Sequence, residues 1–227
     1  MPTEPLIQKM IHLADEWETQ EDQRTIFLRC YSMMTNNMMT AVSQGRFQDN
    51  EWVNHLLHHF ADYYFNALAC FECGEEVPLV WQVVHSKSKS SLHVLQHLLL
   101  GINAHINYDL VLSIYDMLYK EWDELSNLEK ASRYQDHQLV NKIIGETIDK
   151  VQDEVIEKYD PRMDWVDRFL GRLDEIMLSA LITRWRTEVW EKVQALLICP
   201  EEKTRQAIVK DLERAVLDRA KWIAMDL

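Results

Sequence analysis

Leu98-Leu99-Leu100-Gly101-Ile102-Asn103-Ala104-His105-Ile106-Asn107-Tyr108-Asp109 lies inside a long apolar stretch and carries two amides, an imidazole and a carboxylate. Buried polar groups need hydrogen-bond partners or they cost free energy. The surrounding leucines and isoleucines, from Leu92 to Leu118, extend well beyond the length of a strand and read as a helix apolar on nearly all sides. Such a helix belongs in the middle of a fold. Each residue advances a helix by about 100°, so residues four apart share a face. His93, His97, Gly101, His105 and Asp109 therefore form one slowly drifting line. Asn103 and Asn107 form a second line, nearly opposite His105. Gly101 costs about 1 kcal/mol of helix propensity relative to Ala, so its presence points to a neighbour packed closely against the backbone.

Outward from this helix the chain repeats the helical pattern. Apolar residues recur at helical spacing from Leu6 to Trp17 and from Gln23 to Val42, and Gly45 closes the second segment. Phe60, Tyr64, Leu68 and Phe71 form a core stripe in a third segment, Gln48 to Phe71. Gly74-Glu75-Glu76-Val77-Pro78 is a break, followed by a short piece from Leu79 to Val84 and a polar loop from His85 to Ser91. Leu125 to Ser132 reads as a polar connection, and Asp136 to Lys158 as an amphipathic helix. Asp160-Pro161 breaks the chain again. Trp165 to Leu197 predicts one long helix, or two that join near Gly171, and Glu201 to Met225 predicts a charged terminal helix. The expected architecture is all-α, a single domain over residues 1–227 of roughly seven to nine helices around a buried central one.

Composition agrees. The chain has 227 residues, 47 % of them hydrophobic and 27 % charged, with only 5 Gly and 5 Pro to punctuate turns. A net charge of -13 argues against nucleic acid and anionic membranes as partners. No stretch has the length of a membrane span, and Met1-Pro2-Thr3-Glu4-Pro5 lacks the basic start of a secretion leader. Four irregularly spaced cysteines do not read as a disulfide framework. A cytoplasmic protein with reduced thiols is expected, and a homodimer is left open.

His105 and Asp109 have the spacing at which both can bind one metal ion, or at which the carboxylate fixes the imidazole tautomer. Further ligands would come from facing helices: Asp149 first, with His59, Asp62 and Asp153 as other candidates. A mixed nitrogen and oxygen set suits a divalent zinc, iron or manganese ion. On this reading the protein is a metal-dependent hydrolase or oxygenase, with His105 and Asp109 at its centre and His97 shuttling a proton. Asn103, Asn107, Tyr64 and Trp81 would line the pocket and hold a ligand or cofactor. The plainer alternative is a non-enzymatic protein that binds an apolar small molecule or a protein partner, its His/Asn/Asp network purely structural.

Other features carry less. His55 and His59 are four apart, and Cys70 and Cys73 have half-site spacing without a second pair. Met33, Met34, Met38 and Met39 suit an adaptable cavity as well as a core. Arg186 and Trp190 are four apart, which suits cation–aromatic packing. A buried Arg186 would need an acid, with Asp149, Asp153 and Asp109 as candidates. Phosphate loops, dinucleotide fingerprints and serine elbows are absent from the sequence.

The segments Arg24–Tyr31, Phe60–Leu68, Pro78–Trp81 and above all Val94–Leu110 give the chain its resemblance to the DUF5995 family, which is mainly bacterial. Weaker agreement follows at Asn141, Arg186 and Trp190. The resemblance implies a helical fold and marks His97, Asn103, His105, Asn107 and Asp109 as motif positions, but implies no activity. His59 has no counterpart that the motif requires. Helical zinc phospholipases and single-strand nucleases share only the His-x-x-x-Asp pair with this chain, a likeness of fold class that carries no function.

Overall fold

The computed structural model describes residues 4–151, 158 and 164–225, and the side chains of 148–151 and 164–176 fall outside that description. The described chain is all-α with no sheet. Its helices are α1 (Pro5–Thr19), α2 (Arg24–Ser43), α3 (Asn50–Cys73), α4 (Leu79–Ser86), α5 (Val94–Ala104), α6 (Leu110–Leu118), α7 (Asn127–Val151), α8 (Asp164–Leu197) and α9 (Glu202–Ile223). Between α5 and α6 the helix does not stop but widens into a π turn, His105–Asp109. None of these helices is long and apolar enough to cross a membrane.

The ends follow from local chemistry. Asp49 accepts a hydrogen bond from the Trp52 amide at 2.9 Å and caps α3. Gly74 closes the same helix at φ +71, a left-handed conformation that costs glycine little. At α5 the cap is His93, whose amide donates to Gln96 Oε1 at 2.9 Å, two residues later than the sequence suggested. The connection read from Leu125 to Ser132 is a larger correction, because α7 already starts at Asn127. Ser126 and Glu129 bind each other reciprocally, the Ser126 amide to Glu129 Oε2 at 2.8 Å and the Glu129 amide to Ser126 Oγ at 3.3 Å. That capping box holds a helix start whose first turns are too polar to show apolar periodicity. The backbone of α8 runs unbroken past Gly171, so the two-helix alternative falls. The predicted continuation of α7 through 152–157 lies outside the described residues.

The rod formed by α5, the π turn and α6 runs through the centre, with α2, α3, α4, α8 and α9 packed around it. Leu98, Val111, Ile114 and Leu118 on this rod are fully buried. Gly101 is the point of closest approach to α2. A methyl group there would stand 2.5 Å from Phe27 Cδ2 and 2.8 Å from Phe27 Cβ. Phe27 is itself wedged among Tyr31, Tyr64 and Trp81, with ring centroids 5.6 to 6.0 Å away. The Gly101→Ala change is therefore expected to lower stability by roughly 1–3 kcal/mol, although Ala is the better helix former by about 1 kcal/mol. Urea denaturation measures it; a variant more stable than wild type would show that α2 is not held against the rod.

Candidate functional site

Asp109 is 1 % exposed and anchors the site. Trp81 on α4 donates its indole N–H to both carboxylate oxygens, at 2.9 and 3.1 Å. His105 Nδ1 lies 2.9 Å from Oδ2 of the same carboxylate. The pair sits wholly within the π turn, whose wider winding gathers neighbouring side chains onto one face; the amide of Leu110 reaches back five residues to the His105 carbonyl.

Aromatic rings enclose the imidazole. Phe60 stacks on it at 3.6 Å with planes 9° apart, and Tyr31 meets it edge-on at 4.4 Å. Phe27 and Tyr64 complete the sleeve at 5.8 and 6.0 Å. Burial pushes the Asp109 carboxyl well above the usual carboxylate range, against the opposing pull of the Trp81 hydrogen bond. Burial also pushes His105 well below its ordinary value. Both effects work against an imidazolium–carboxylate pair, and the ring is neutral.

With Nδ1 held by Asp109, the other ring nitrogen is left over. His105 Nε2 is buried and has no hydrogen-bond partner among the described residues. His105 lines a cavity of about 130 Å³ whose walls are mostly apolar, with Met34, Met38, Leu57, Ile106 and Ile143 among them. Tyr31 Oη and Trp52 Nε1, on cavity-lining residues, also have no hydrogen-bond partner among the described residues. The Thr35 hydroxyl donates its proton to the Tyr31 carbonyl at 2.8 Å. Tyr31 stays protonated, since burial and then the Asp109 charge raise its pKa well above that of a free phenol. Cys30 also lines the cavity, but burial pushes its thiol up to about 12, so it offers no thiolate.

The facing wall comes from α7 and α8. Asp136 accepts the backbone amides of Gln48 and Asp49 at 2.7 and 3.0 Å. His137 donates from Nε2 to the Arg186 carbonyl at 2.8 Å, and Arg186 donates back to the His137 carbonyl at 2.8 Å.

This arrangement belongs to a recognised group of sequences. The model of a family of unknown function, DUF5995, matches residues 3–226. The chain belongs to the DUF5995 family. No curated protein and no solved structure matches it at a significant level.

The structure of this DUF5995 chain separates the motif positions by location. His105 and Asp109 are together, as their spacing predicted. His97 is elsewhere: it lines a narrow crevice with Trp81 and His85, and its Nε2 is 3.4 Å from the Ser90 carbonyl. Asn103 donates to the Val216 carbonyl at 2.9 Å, which ties the rod to α9, and accepts from Asn107 at 3.0 Å; neither is among the cavity's lining residues. Tyr64 and Trp81 stand behind the His105 sleeve, Trp81 as the second donor to Asp109.

Metal ligation finds little to build on. Asp149's side chain and Asp153 lie outside the described residues. Asp62 is exposed, and His59 meets Asp116 at 3.3 Å on the surface. No three His, Cys, Asp or Glu residues are grouped for a metal ion among the described residues. Trp52 and His137 were not singled out from the sequence; they sit on other helices, where spacing within one helix carries no signal.

Proposed function

We propose that the cavity binds a compact, largely apolar molecule and that the His105–Asp109 pair exchanges one proton with it, without a metal ion in that step. The observation that carries this reading is His105 Nε2, buried and unpartnered on a residue of the cavity wall while Nδ1 is fixed by Asp109. With Asp109 ionised, Nδ1–H donates to it and Nε2 presents a lone pair. With one further proton on the pair, Asp109 donates to Nδ1 and Nε2–H faces the ligand. A proton taken from the ligand at Nε2 is thus balanced by the Nδ1 proton passing to Asp109. The pair goes from one negative charge to none, the ligand gains that charge, and no imidazolium is stranded among aromatic rings. Tyr31 Oη and Trp52 Nε1, two donors without acceptors among the described residues, supply hydrogen bonds to the charge that develops on the ligand. The reaction class is proton transfer, the first step of an isomerisation or elimination.

Histidine-selective nitrogen NMR between about pH 5 and pH 10 tests this. His105 is expected to switch between its two neutral tautomers without passing through imidazolium. Asp109→Asn is expected to abolish the switch, and para-fluorophenol is expected to move its midpoint in the wild-type protein. An imidazolium signal, a switch that survives in Asp109→Asn, or a midpoint that ignores the phenol would overturn the proposal and leave the pair a structural element.

A further inference from the structure

The α7–α8 wall holds a buried cation that no acid among the described residues neutralises. Arg186 is 5 % exposed and lines the cavity. Its Nε donates to Asn141 Oδ1 at 2.7 Å, and Nη2 donates to the His137 carbonyl at 2.8 Å and to His137 Nδ1 at 3.2 Å. His137 carries its proton on Nε2, which serves the Arg186 carbonyl, so Nδ1 is the acceptor and the ring is neutral. Burial and then the guanidinium charge push His137 well below its ordinary pKa, which keeps it so. All these acceptors are uncharged. The acid on the same wall, Asp136, spends both oxygens on the amides of Gln48 and Asp49. Burial lowers the Arg186 pKa to about 9 with no carboxylate acting against it, and the group remains a cation at neutral pH.

A guanidinium buried among neutral dipoles is less stable than one paired with an acid. Asn141 and His137 fix its plane and consume Nε–H and the Nη2 protons. The two N–H groups of Nη1 have no acceptor among the described residues. Nη1, held in one orientation on a cation beside an apolar cavity, can donate a charge-assisted hydrogen bond to a monoanion. A phosphate ester, carrying more charge, would call for a second cation, and no Lys or other Arg lines this cavity among the described residues. The space is comparable to the roughly 150 Å³ apolar cavity that takes benzene, so the apolar body is about the size of one aromatic ring.

Resting on the reading of the cavity as a ligand site, we infer that its ligand is a compact apolar carboxylic acid, bound as the anion with its carboxylate on Arg186 and its body against Met34, Met38, Ile143 and Ile182. The proton exchanged with His105 then comes from the non-carboxylate part of the same molecule.

Fluorine NMR titration of the full chain with para-fluorophenylacetate and with para-fluorotoluene provides the test. The two probes share a ring and differ in the carboxylate. Wild-type protein is expected to bind the acid at least about tenfold more tightly than the neutral probe. Arg186→Gln, which keeps a donor for Asn141, is expected to lose about tenfold or more of the acid affinity and to keep the neutral affinity within about twofold. Arg186→Lys is expected to retain a weakened preference for the acid. The wild-type comparison decides the matter even if a variant does not fold. Equal binding of the two probes, or an acid preference that persists in Arg186→Gln, overturns the inference and leaves the proton-exchange reading intact. Failure of both probes to bind overturns the inference and the ligand-site reading together.

Discussion

Trp81→Ala is expected to leave the protein largely unfolded at room temperature. Trp81 is 0 % exposed and sits where α4 meets the central rod. Its indole stacks on His85 at 5.2 Å and packs against Tyr64 at 5.1 Å and Phe27 at 6.0 Å. Truncating a buried aromatic to Ala costs about 3–5 kcal/mol. The loss here is larger, because Asp109 keeps only His105 as a partner, and a buried acceptor left short costs about 1–3 kcal/mol more. Together these approach the whole stability of an ordinary domain, about 5–15 kcal/mol. Trp81→Phe separates the two effects. It keeps most of the packing, removes the N–H, and is expected to cost about 1–3 kcal/mol in urea denaturation. The lost hydrogen bond favours the ionised carboxylate, so its removal also moves the proton-binding midpoint of the His105–Asp109 pair upward. A Trp81→Phe protein with unchanged stability and an unmoved midpoint would show that the indole does not hold Asp109.

Much of this site was legible along one helix and little of it across helices. The apolar run around His105 placed the central rod, Gly101 announced its close neighbour, and the spacing of His105 and Asp109 foretold their contact. Each is a short-range statement that a 3.6-residue repeat can make. The π turn was not legible, because a five-residue hydrogen bond leaves no mark on apolar periodicity. The Ser126–Glu129 box was legible but lay in a stretch too polar to read as helix. Arg186 was expected to need an acid if buried; it is buried, and among the described residues Asn141 and His137, both uncharged, receive its hydrogen bonds, while the Asp149 side chain and Asp153 lie outside them. That result depends on two helices meeting 49 residues apart, which spacing cannot express. The two asparagines show the converse. They share the rod with His105, but Asn103 serves α9 and Asn107 serves Asn103, so a polar residue on a buried helix signalled a partner without saying which one.

Acid is the condition to which this core is most exposed, and His85 and His137 lead the response, with His97 shifted down by burial in the same direction. His85 is buried, has no hydrogen bond at either ring nitrogen among the described residues, and is pushed down to about 3 by desolvation. His137 is also pushed well below its ordinary value, by burial and then by Arg186. In the unfolded chain both bind a proton near pH 6.5, while the folded protein refuses it. Stability is therefore full above about pH 6.5 and falls as pH drops toward the folded values, by about 1.4 kcal/mol per pH unit for each histidine. His105 acts in the same direction, but the raised Asp109 acts in the opposite one, so the pair largely cancels. A combined loss near 3 kcal/mol per pH unit exhausts an ordinary stability between about pH 3 and pH 5. His85→Met replaces an unpartnered imidazole by an apolar chain that adapts to the space, and no hydrogen bond is lost. Its stability at pH 8 is expected to equal or exceed that of wild type. Its loss per pH unit is expected to be smaller by about 1.4 kcal/mol, with the acid midpoint moved to lower pH. Urea denaturation at a series of pH values measures both; a slope identical to wild type would mean that His85 takes up its proton in the folded state and is not sealed in the core.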